Sequence, residues 1–146
     1  ATSITYPSTL ANRLQVLSMA KEFKKLLGKD FFLGGKDIKE MGDEYGEVVN
    51  FHSSRSFALA WKYLSFIKKN DIGVVYSREY KLLFFIMFYN ALYFQLDLKY
   101  YFEAHEIRLK KKLFVKTLRQ CSGIVTITEI LKELFLRWTL TFFFHT

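Results

Sequence analysis

The sequence predicts an α/β fold in which a mostly parallel sheet carries helices on both faces. Short apolar runs typical of strands alternate with stretches of helical periodicity along the chain. No repeat or low-complexity linker interrupts this alternation. A strand, a helix and a second strand in succession form a βαβ unit, whose strands run parallel, so a series of such units predicts this fold class.

The composition supports one folded domain. The chain has 146 residues, of which 51% are hydrophobic and 18% aromatic, so it can bury a core and is not intrinsically disordered. The single cysteine, Cys121, excludes a disulfide framework within the chain and fits a reducing compartment. The first residues show no cationic leader followed by an apolar stretch. We therefore expect no secretory signal and a cytoplasmic location.

The N-terminal third predicts a strand, a helix and a second strand. Ile4–Tyr6 is the first strand, and Pro7–Thr9 supplies a turn with hydroxyl caps for the helix that follows. Apolar residues recur at helical spacing until Gly28, which is expected to end this helix. Phe31–Leu33 is the second strand, and the polar, glycine-containing residues 36–47 are expected to form a loop or a short helical turn.

The middle of the chain continues the alternation. Val48–Phe51 is the third predicted strand. Either Ser53 or Ser54 can cap the next helix, which is expected to end at Asn70–Asp71. Ile72–Tyr76 is then the fourth strand.

Residues 80–96 are apolar nearly all round. Lys81, Asn90 and Gln95 interrupt this stretch, which is also too short for a confident transmembrane helix. A helix buried against the sheet and between other helices is therefore the prediction.

The last third predicts two more strands and two helices. A strand at 99–103 precedes a basic helix over 108–119. The strand Gly123–Ile127, a helix from Thr128 and a final apolar run, Thr141–Phe144, complete the series.

Polar residues follow several of these strands directly. Ligands of open parallel sheets bind beyond the carboxyl ends of the strands, so residues at these points are candidates for a site. The segment Glu103–Glu106, with the sequence EAHE, ends a run of aromatic residues in this way. A histidine here can donate to a sugar hydroxyl or a phosphate, and nearby carboxylates can tune its pKa. The alternative is a solvated turn that happens to carry a histidine.

Arg78 occupies the equivalent position after the fourth strand, in the sequence YSRE. It can bind an anion or pair with Glu79 or another carboxylate, and the sequence leaves both roles open. The other strand ends that carry polar or flexible residues are Pro7–Asn12, Gly34–Gly35 and Thr126–Glu129.

Several classes of site receive no support. The turn after the first strand, YPSTLANR, contains neither a G-x-G-x-x-G fingerprint nor a P-loop, which argues against dinucleotide and Walker-type binding. The three histidines His52, His105 and His145 are far apart, and no paired spacing predicts a metal site. Cys121 has no obvious base partner and is expected to be a packed residue rather than a nucleophile. We therefore expect no metal and no bound cofactor.

Three segments in order resemble the N-terminal half of a family-4 type glycosyltransferase of the GT-B fold. The segment STLANRLQVLSMAKEFKKLLGKDFFLGG resembles the first loop, helix and second strand of that family. Its Ser8, Asn12 and Gln15 are spaced as in one branch of the family. The fourth strand and its arginine resemble VVYSRE. YYFEAHE resembles the family's fifth strand with its histidine, and LRQCSGIVTITEILKELF resembles its sixth strand, threonine and helix.

The resemblance implies a Rossmann-like domain over residues 1–146 that binds the sugar acceptor. It also implies transfer with retention of configuration, without a metal, from a nucleotide-sugar donor to a glycan or a lipid-linked acceptor. The family's other half binds the donor and carries two glutamates in an E-x₇-E pattern, which this sequence lacks. We therefore expect that the donor-binding C-terminal domain is absent and that this domain is inactive alone. The rival interpretation is a non-catalytic binding or scaffolding domain.

The resemblance and the strand-end positions together nominate nine site residues. The catalytic candidate is His105. The substrate-binding candidates are Ser8, Asn12, Gln15, Arg78, Glu103, Glu106, Thr128 and Glu129.

The predicted helix 108–119 concentrates positive charge in a chain whose net charge is +8. It contains six cations and no acid, which predicts either a solvated face or a surface for anionic lipid, peripheral on the inner face of the membrane. Nucleic acid ranks lower, because no RNA-binding motif accompanies the helix and its neighbouring aromatics are assigned to strands. The six membrane-binding candidates are Arg108, Lys110, Lys111, Lys112, Lys116 and Arg119.

Overall fold

The structure, a computed structural model, describes residues 11–35, 45, 47–51, 55–105 and 112–143. Strands and helices alternate through these ranges, as the sequence predicts. The strands are β1 (Phe32–Gly35), β2 (Glu47–Asn50), β3 (Val74–Ser77), β4 (Lys99–Ala104) and β5 (Gly123–Thr126). The helices are α1 (Ala11–Leu27), α2 (Ser56–Lys69), α3 (Tyr80–Tyr89), α4 (Lys112–Arg119) and α5 (Glu129–Phe143).

Every strand pairing in the described ranges is parallel. β1 pairs with β2, and a second sheet has the order β3–β4–β5, with β4 in the middle. Parallel strands require crossover connections, and α3 and α4 provide those from β3 to β4 and from β4 to β5. The predicted α/β class with a Rossmann-like, parallel arrangement is therefore confirmed. The first predicted strand, Ile4–Tyr6, lies outside the described residues.

Helices cover both faces of the three-stranded sheet. Successive residues of a strand point to opposite faces. Val75 and Phe102 belong to the core formed with α2, α3 and α4, and the Phe102 ring packs edge-on against Phe114 of α4. Tyr76 points the other way, where its ring lies 5.4 Å from that of Phe23 in α1.

The apolar stretch 80–96 forms a shorter helix than predicted. α3 does lie against α2 and α4, with Leu82, Leu83 and Ile86 fully buried. It ends at Tyr89, however, and a π-helical turn, Asn90–Phe94, follows. No helix in the described ranges is long and apolar enough to cross a membrane.

The side chain of Asn90 explains where α3 ends. Its amide nitrogen donates to the Leu96 carbonyl at 2.9 Å and to the Tyr100 hydroxyl at 2.8 Å, and its oxygen accepts from the Leu96 N–H at 2.9 Å. Gln95 takes a left-handed conformation, with φ of 52°. These contacts turn the chain out of the helix and towards β4.

Other predicted boundaries hold or shift for local reasons. Gly28 ends α1 as predicted, with φ of +62°, in the left-handed region that favours glycine. α2 begins at Ser56, and both predicted caps, Ser53 and Ser54, lie outside the described residues. α5 continues through Phe143 and so includes most of the run predicted as a separate element, because no glycine or proline interrupts it.

Gly34 allows a close approach between β1 and α2. A Cβ atom at Gly34 would overlap the ring of Tyr63, which is buried and packs against Phe51. We predict that Gly34→Ala lowers the free energy of unfolding by about 1–3 kcal/mol, since a packed ring would have to move. Urea denaturation measures this change.

Gly73→Ala is the matched control for this substitution. A Cβ atom at Gly73 meets nothing within 4 Å, and its φ is not positive. The free energy of unfolding should change by less than about 1 kcal/mol. Equal stability of the two variants would contradict the proposed contact.

Candidate functional site

Four polar side chains contact one another at the carboxyl ends of β3 and β4. We call Tyr76, Arg78, Glu103 and His105 the Glu103 cluster. In the register of the two strands, Tyr76 lies beside Tyr101 and Ser77 beside Phe102. Residues two apart share a face of a strand, so Tyr76 and Glu103 point to the same side, and Arg78 and His105 continue that alternation just beyond the strands.

Glu103 is the centre of the cluster. Glu103 is only 1% exposed, and burying a carboxylate is costly unless the group is paired and hydrogen-bonded. The Tyr76 hydroxyl donates to Oε2 at 2.8 Å. His105 Nε2 lies 2.5 Å from Oε1, within ion-pair distance although the two atoms are not aligned as a hydrogen bond. Both carboxylate oxygens therefore face a polar group of the protein.

His105 connects Glu103 to Arg78. Nη2 of Arg78 lies 3.2 Å from Nδ1 of His105. A guanidinium group can only donate, so Nδ1 accepts, and we assign the proton of the neutral ring to Nε2, which faces Glu103. The imidazole thus has a partner at each nitrogen and is 24% exposed.

The hydroxyl of Tyr76 remains a donor over the ordinary pH range. Burial raises the pKa of Tyr76 well above its usual value, and its hydrogen bond to Glu103 and the carboxylate charge raise the pKa further. The nearby Arg78 charge acts in the opposite direction and is the smallest of the four effects. The phenol therefore stays protonated and continues to stabilise the Glu103 carboxylate.

The turn between β3 and α3 holds Arg78 in place. Ser77, the last residue of β3, is 1% exposed, and its Oγ accepts a hydrogen bond from the Glu79 N–H at 3.1 Å. The Leu83 N–H donates to the Glu79 carbonyl at 3.0 Å, which starts α3. The segment YSRE is thus a serine-stabilised turn that places Arg78 beside β4.

A cavity of about 750 Å³ borders the cluster. It lies along β3, between residues of β1 and the three-stranded sheet, and most of its lining is apolar. Tyr76, Arg78 and Glu103 line it where the strands end. Any small molecule that entered the cavity from this edge would meet these three polar side chains.

The other substrate-binding candidates have different surroundings. Thr128 caps α5, since its Oγ1 accepts from the Leu131 N–H at 3.2 Å. Glu129 is 71% exposed at its side chain and pairs with Lys132 at 2.7 Å. Gln15 lies half-buried on α1, which also contains Asn12. Ser8, Glu106 and the side chain of Asn12 lie outside what the structure describes.

The structure therefore brings together three of the predicted residues, Arg78, Glu103 and His105. It adds Tyr76, which the sequence interpretation treated only as part of a strand. The available signal was its spacing, because Tyr76 and Arg78 lie two residues apart and so share a face with Glu103 and His105.

The basic helix has a sharply divided surface. Lys112, Lys116 and Arg119 are exposed at positions i, i+4 and i+7, whereas Phe114 and Leu118 are buried on the opposite side. Lys116 Nζ lies 5.7 Å from the centre of the Phe84 ring in α3. Arg108, Lys110 and Lys111 lie outside the described residues.

The remaining sequence predictions concern metal-ligating groups and Cys121. The described ranges contain no group of three or more His, Cys, Asp or Glu side chains that could hold a metal ion. Burial raises the pKa of Cys121 to about 12, and its thiol donates to the Thr117 carbonyl at 3.4 Å. Cys121 is therefore a packed thiol rather than a nucleophile.

Comparison with known proteins assigns no family to this chain: no family model, no curated protein and no solved structure matches it significantly. The geometry of the Glu103 cluster and the ordered sequence resemblance are therefore the basis for a functional proposal.

We predict that Tyr76→Phe lowers the free energy of unfolding by about 1.5–3 kcal/mol, because it removes a hydrogen bond to a buried charged group. Urea denaturation at neutral pH provides the measurement. Tyr93→Phe is the control, since Tyr93 is 64% exposed and loses the same atom. Equal stability of the two variants would mean that Tyr76 does not support the Glu103 carboxylate.

Proposed function

We propose that this chain is the acceptor-binding domain of a retaining glycosyltransferase that transfers a sugar from a nucleotide-sugar donor to a glycan or lipid-linked acceptor. The observation that carries the proposal is the Glu103 cluster, which joins three of the nominated residues at the carboxyl edge of a parallel sheet. The substrate class and the stereochemistry come from the sequence resemblance.

The position of the cluster supports a binding role. In open α/β sheets, ligands bind beyond the carboxyl ends of the strands. The cluster also combines a permanent cation, Arg78, with an imidazole and a buried carboxylate. This combination suits a substrate that carries both hydroxyl and phosphate groups, because a guanidinium binds phosphate oxygens and an imidazole can exchange a proton with a hydroxyl.

Arg78 and His105 have linked roles in this proposal. A guanidinium donates to phosphate oxygens, so Arg78 can exchange its contact with His105 for contacts with a phosphate. A phosphate that draws Arg78 away from the imidazole would expose Nδ1 to an acceptor hydroxyl. Glu103 would still orient the ring through Nε2, as a carboxylate orients a catalytic histidine in other enzymes.

The proposed enzyme needs a second half. The donor-binding glutamate pair expected for this class does not occur in the 146 residues. We therefore predict that the chain alone, mixed with a panel of nucleotide sugars and a generic glycan acceptor, gives no sustained transfer. Product detection by mass spectrometry tests this, and steady turnover by the chain alone would contradict the half-enzyme interpretation.

We predict that His105→Ala lowers the turnover of the complete enzyme by about 10²–10⁴, the contribution typical of a side chain that takes a proton from the reacting hydroxyl. The chain is fused to a donor-binding half of this class for the measurement. Stability should also fall, because the substitution leaves Oε1 of the buried Glu103 without its nearest partner.

His105→Gln separates the two effects, since its amide can still donate to Glu103 while it cannot exchange a proton. The expected result is a melting temperature nearer to that of the wild type, with turnover still low. Lys25→Ala, on the exposed side of α1, is the control for both quantities. Wild-type turnover per folded molecule in His105→Gln would show that His105 is structural.

One observation favours the alternative of a non-catalytic binding or scaffolding domain. Both nitrogens of His105 and both carboxylate oxygens of Glu103 already face protein groups, which is the arrangement of a structural network. In that case, His105→Ala would reduce stability alone. The paired measurements on the alanine and glutamine variants therefore decide between the two functions.

A further inference from the structure

The helices α2, α3 and α4 contain no acidic residue. These three helices and the π-helical turn after α3 contain seven lysines and arginines and not one aspartate or glutamate. The 14 acidic residues of the chain all lie elsewhere. These helices therefore carry much more positive charge per residue than the chain as a whole.

Large apolar side chains are exposed on the same layer. Five of them are between 44% and 64% exposed, although buried positions of the same helices fill the core. We call these residues the aromatic surface: Phe57, Trp61, Phe88, Leu92 and Tyr93.

Ring contacts connect the aromatic surface to the basic helix. Trp61 of α2 contacts Tyr93 and Tyr89, each at 5.6 Å, and Tyr89 contacts Phe88 at 5.7 Å. Phe88 stacks on Phe84, one turn earlier in α3, at 6.1 Å. Lys116 of α4 lies over that same Phe84 ring. Exposed rings and exposed cations thus belong to one continuous surface across three helices.

We propose that this surface docks the protein on a bilayer that contains anionic lipid, with the aromatic surface inserted at the level of the head groups. The inference does not depend on the proposed transferase activity. Tryptophan and tyrosine favour the membrane–water interface, because an apolar ring can be buried while its polar atom stays hydrated. Lysine side chains beside them extend to the lipid phosphates.

The shape and charge favour a bilayer over the other occupants. A second copy of this surface would oppose like charges, since every charged side chain on these helices is a cation. Single-stranded nucleic acid binds in grooves where bases stack on open ring faces. Here the rings of Trp61 meet their neighbours edge to face, and Phe57, Phe88 and Leu92 offer apolar bulk on helices that pack on the outside of the sheet.

Co-sedimentation with vesicles tests the proposal. We expect the chain to bind phosphatidylcholine vesicles that contain phosphatidylglycerol more tightly than phosphatidylcholine alone, and to lose this preference at high salt. Leu92→Ser with Tyr93→Ser should weaken binding by about tenfold or more, because two side chains lose their buried positions. Lys112→Glu with Lys116→Glu should abolish the preference for anionic vesicles.

Leu26→Ser is the matched control, because Leu26 is 79% exposed on α1, away from these helices. It should bind like the wild type. Equal binding of Leu92→Ser/Tyr93→Ser and Leu26→Ser, with circular dichroism showing that both are folded, would overturn the proposal.

Fluorescence provides a second measurement that does not depend on the serine variants. The chain contains two tryptophans, Trp61 and Trp138. Anionic vesicles should shift the emission to the blue in the wild type, and Trp61→Phe should remove that shift. An unchanged shift in Trp61→Phe would overturn the proposal. Variants of the aromatic surface that bind vesicles like the wild type, but lose self-association or oligonucleotide binding, would also overturn the proposal.

Discussion

Burial of the Glu103 carboxylate is the interaction on which the carboxyl edge of the sheet depends. A buried charge is tolerated only when neighbouring groups satisfy it, and Tyr76 and His105 do so from two different positions. The Tyr76 contact requires the observed register of β3 and β4, whereas His105 follows Glu103 by two residues along the same stretch of chain. A shift of one residue would turn Tyr76 to the other face and remove the hydroxyl that donates to the carboxylate. The network thereby fixes the register, and the register in turn fixes where Arg78 lies.

A second buried polar side chain has a comparable effect on the other end of the same strand. Asn90 is 7% exposed and binds both Leu96 and Tyr100, so it ends α3 and sets where β4 begins. β4 is therefore positioned at its start by Asn90 and at its end by Glu103. The strand that carries the candidate site has little freedom to slide.

The sequence predicted the order and type of the elements because their signals are local. Helical spacing, apolar runs and Gly28 each lie within a few residues of the feature that they determine. Tyr76 takes its role from Glu103, which lies 27 positions further along the chain. Asn90 likewise bonds to Tyr100, ten positions beyond it. Periodicity within one segment cannot reveal such contacts. Thr128 shows a different limit, since a threonine after a strand suits both a helix cap and a binding site, and only the contact with Leu131 identifies the cap.

Alternation along β4 also separates the two surfaces to which we assign functions. Glu103 points to the face of the sheet where Tyr76 meets α1, whereas Phe102 points to the face covered by α2, α3 and α4. A bilayer against the outer side of these three helices would therefore leave the Glu103 cluster uncovered. The carboxyl edge would remain open to an acceptor whose head group projects from the same membrane. Because Glu103 and Phe102 point to opposite faces, the proposed lipid contact would not block the Glu103 cluster.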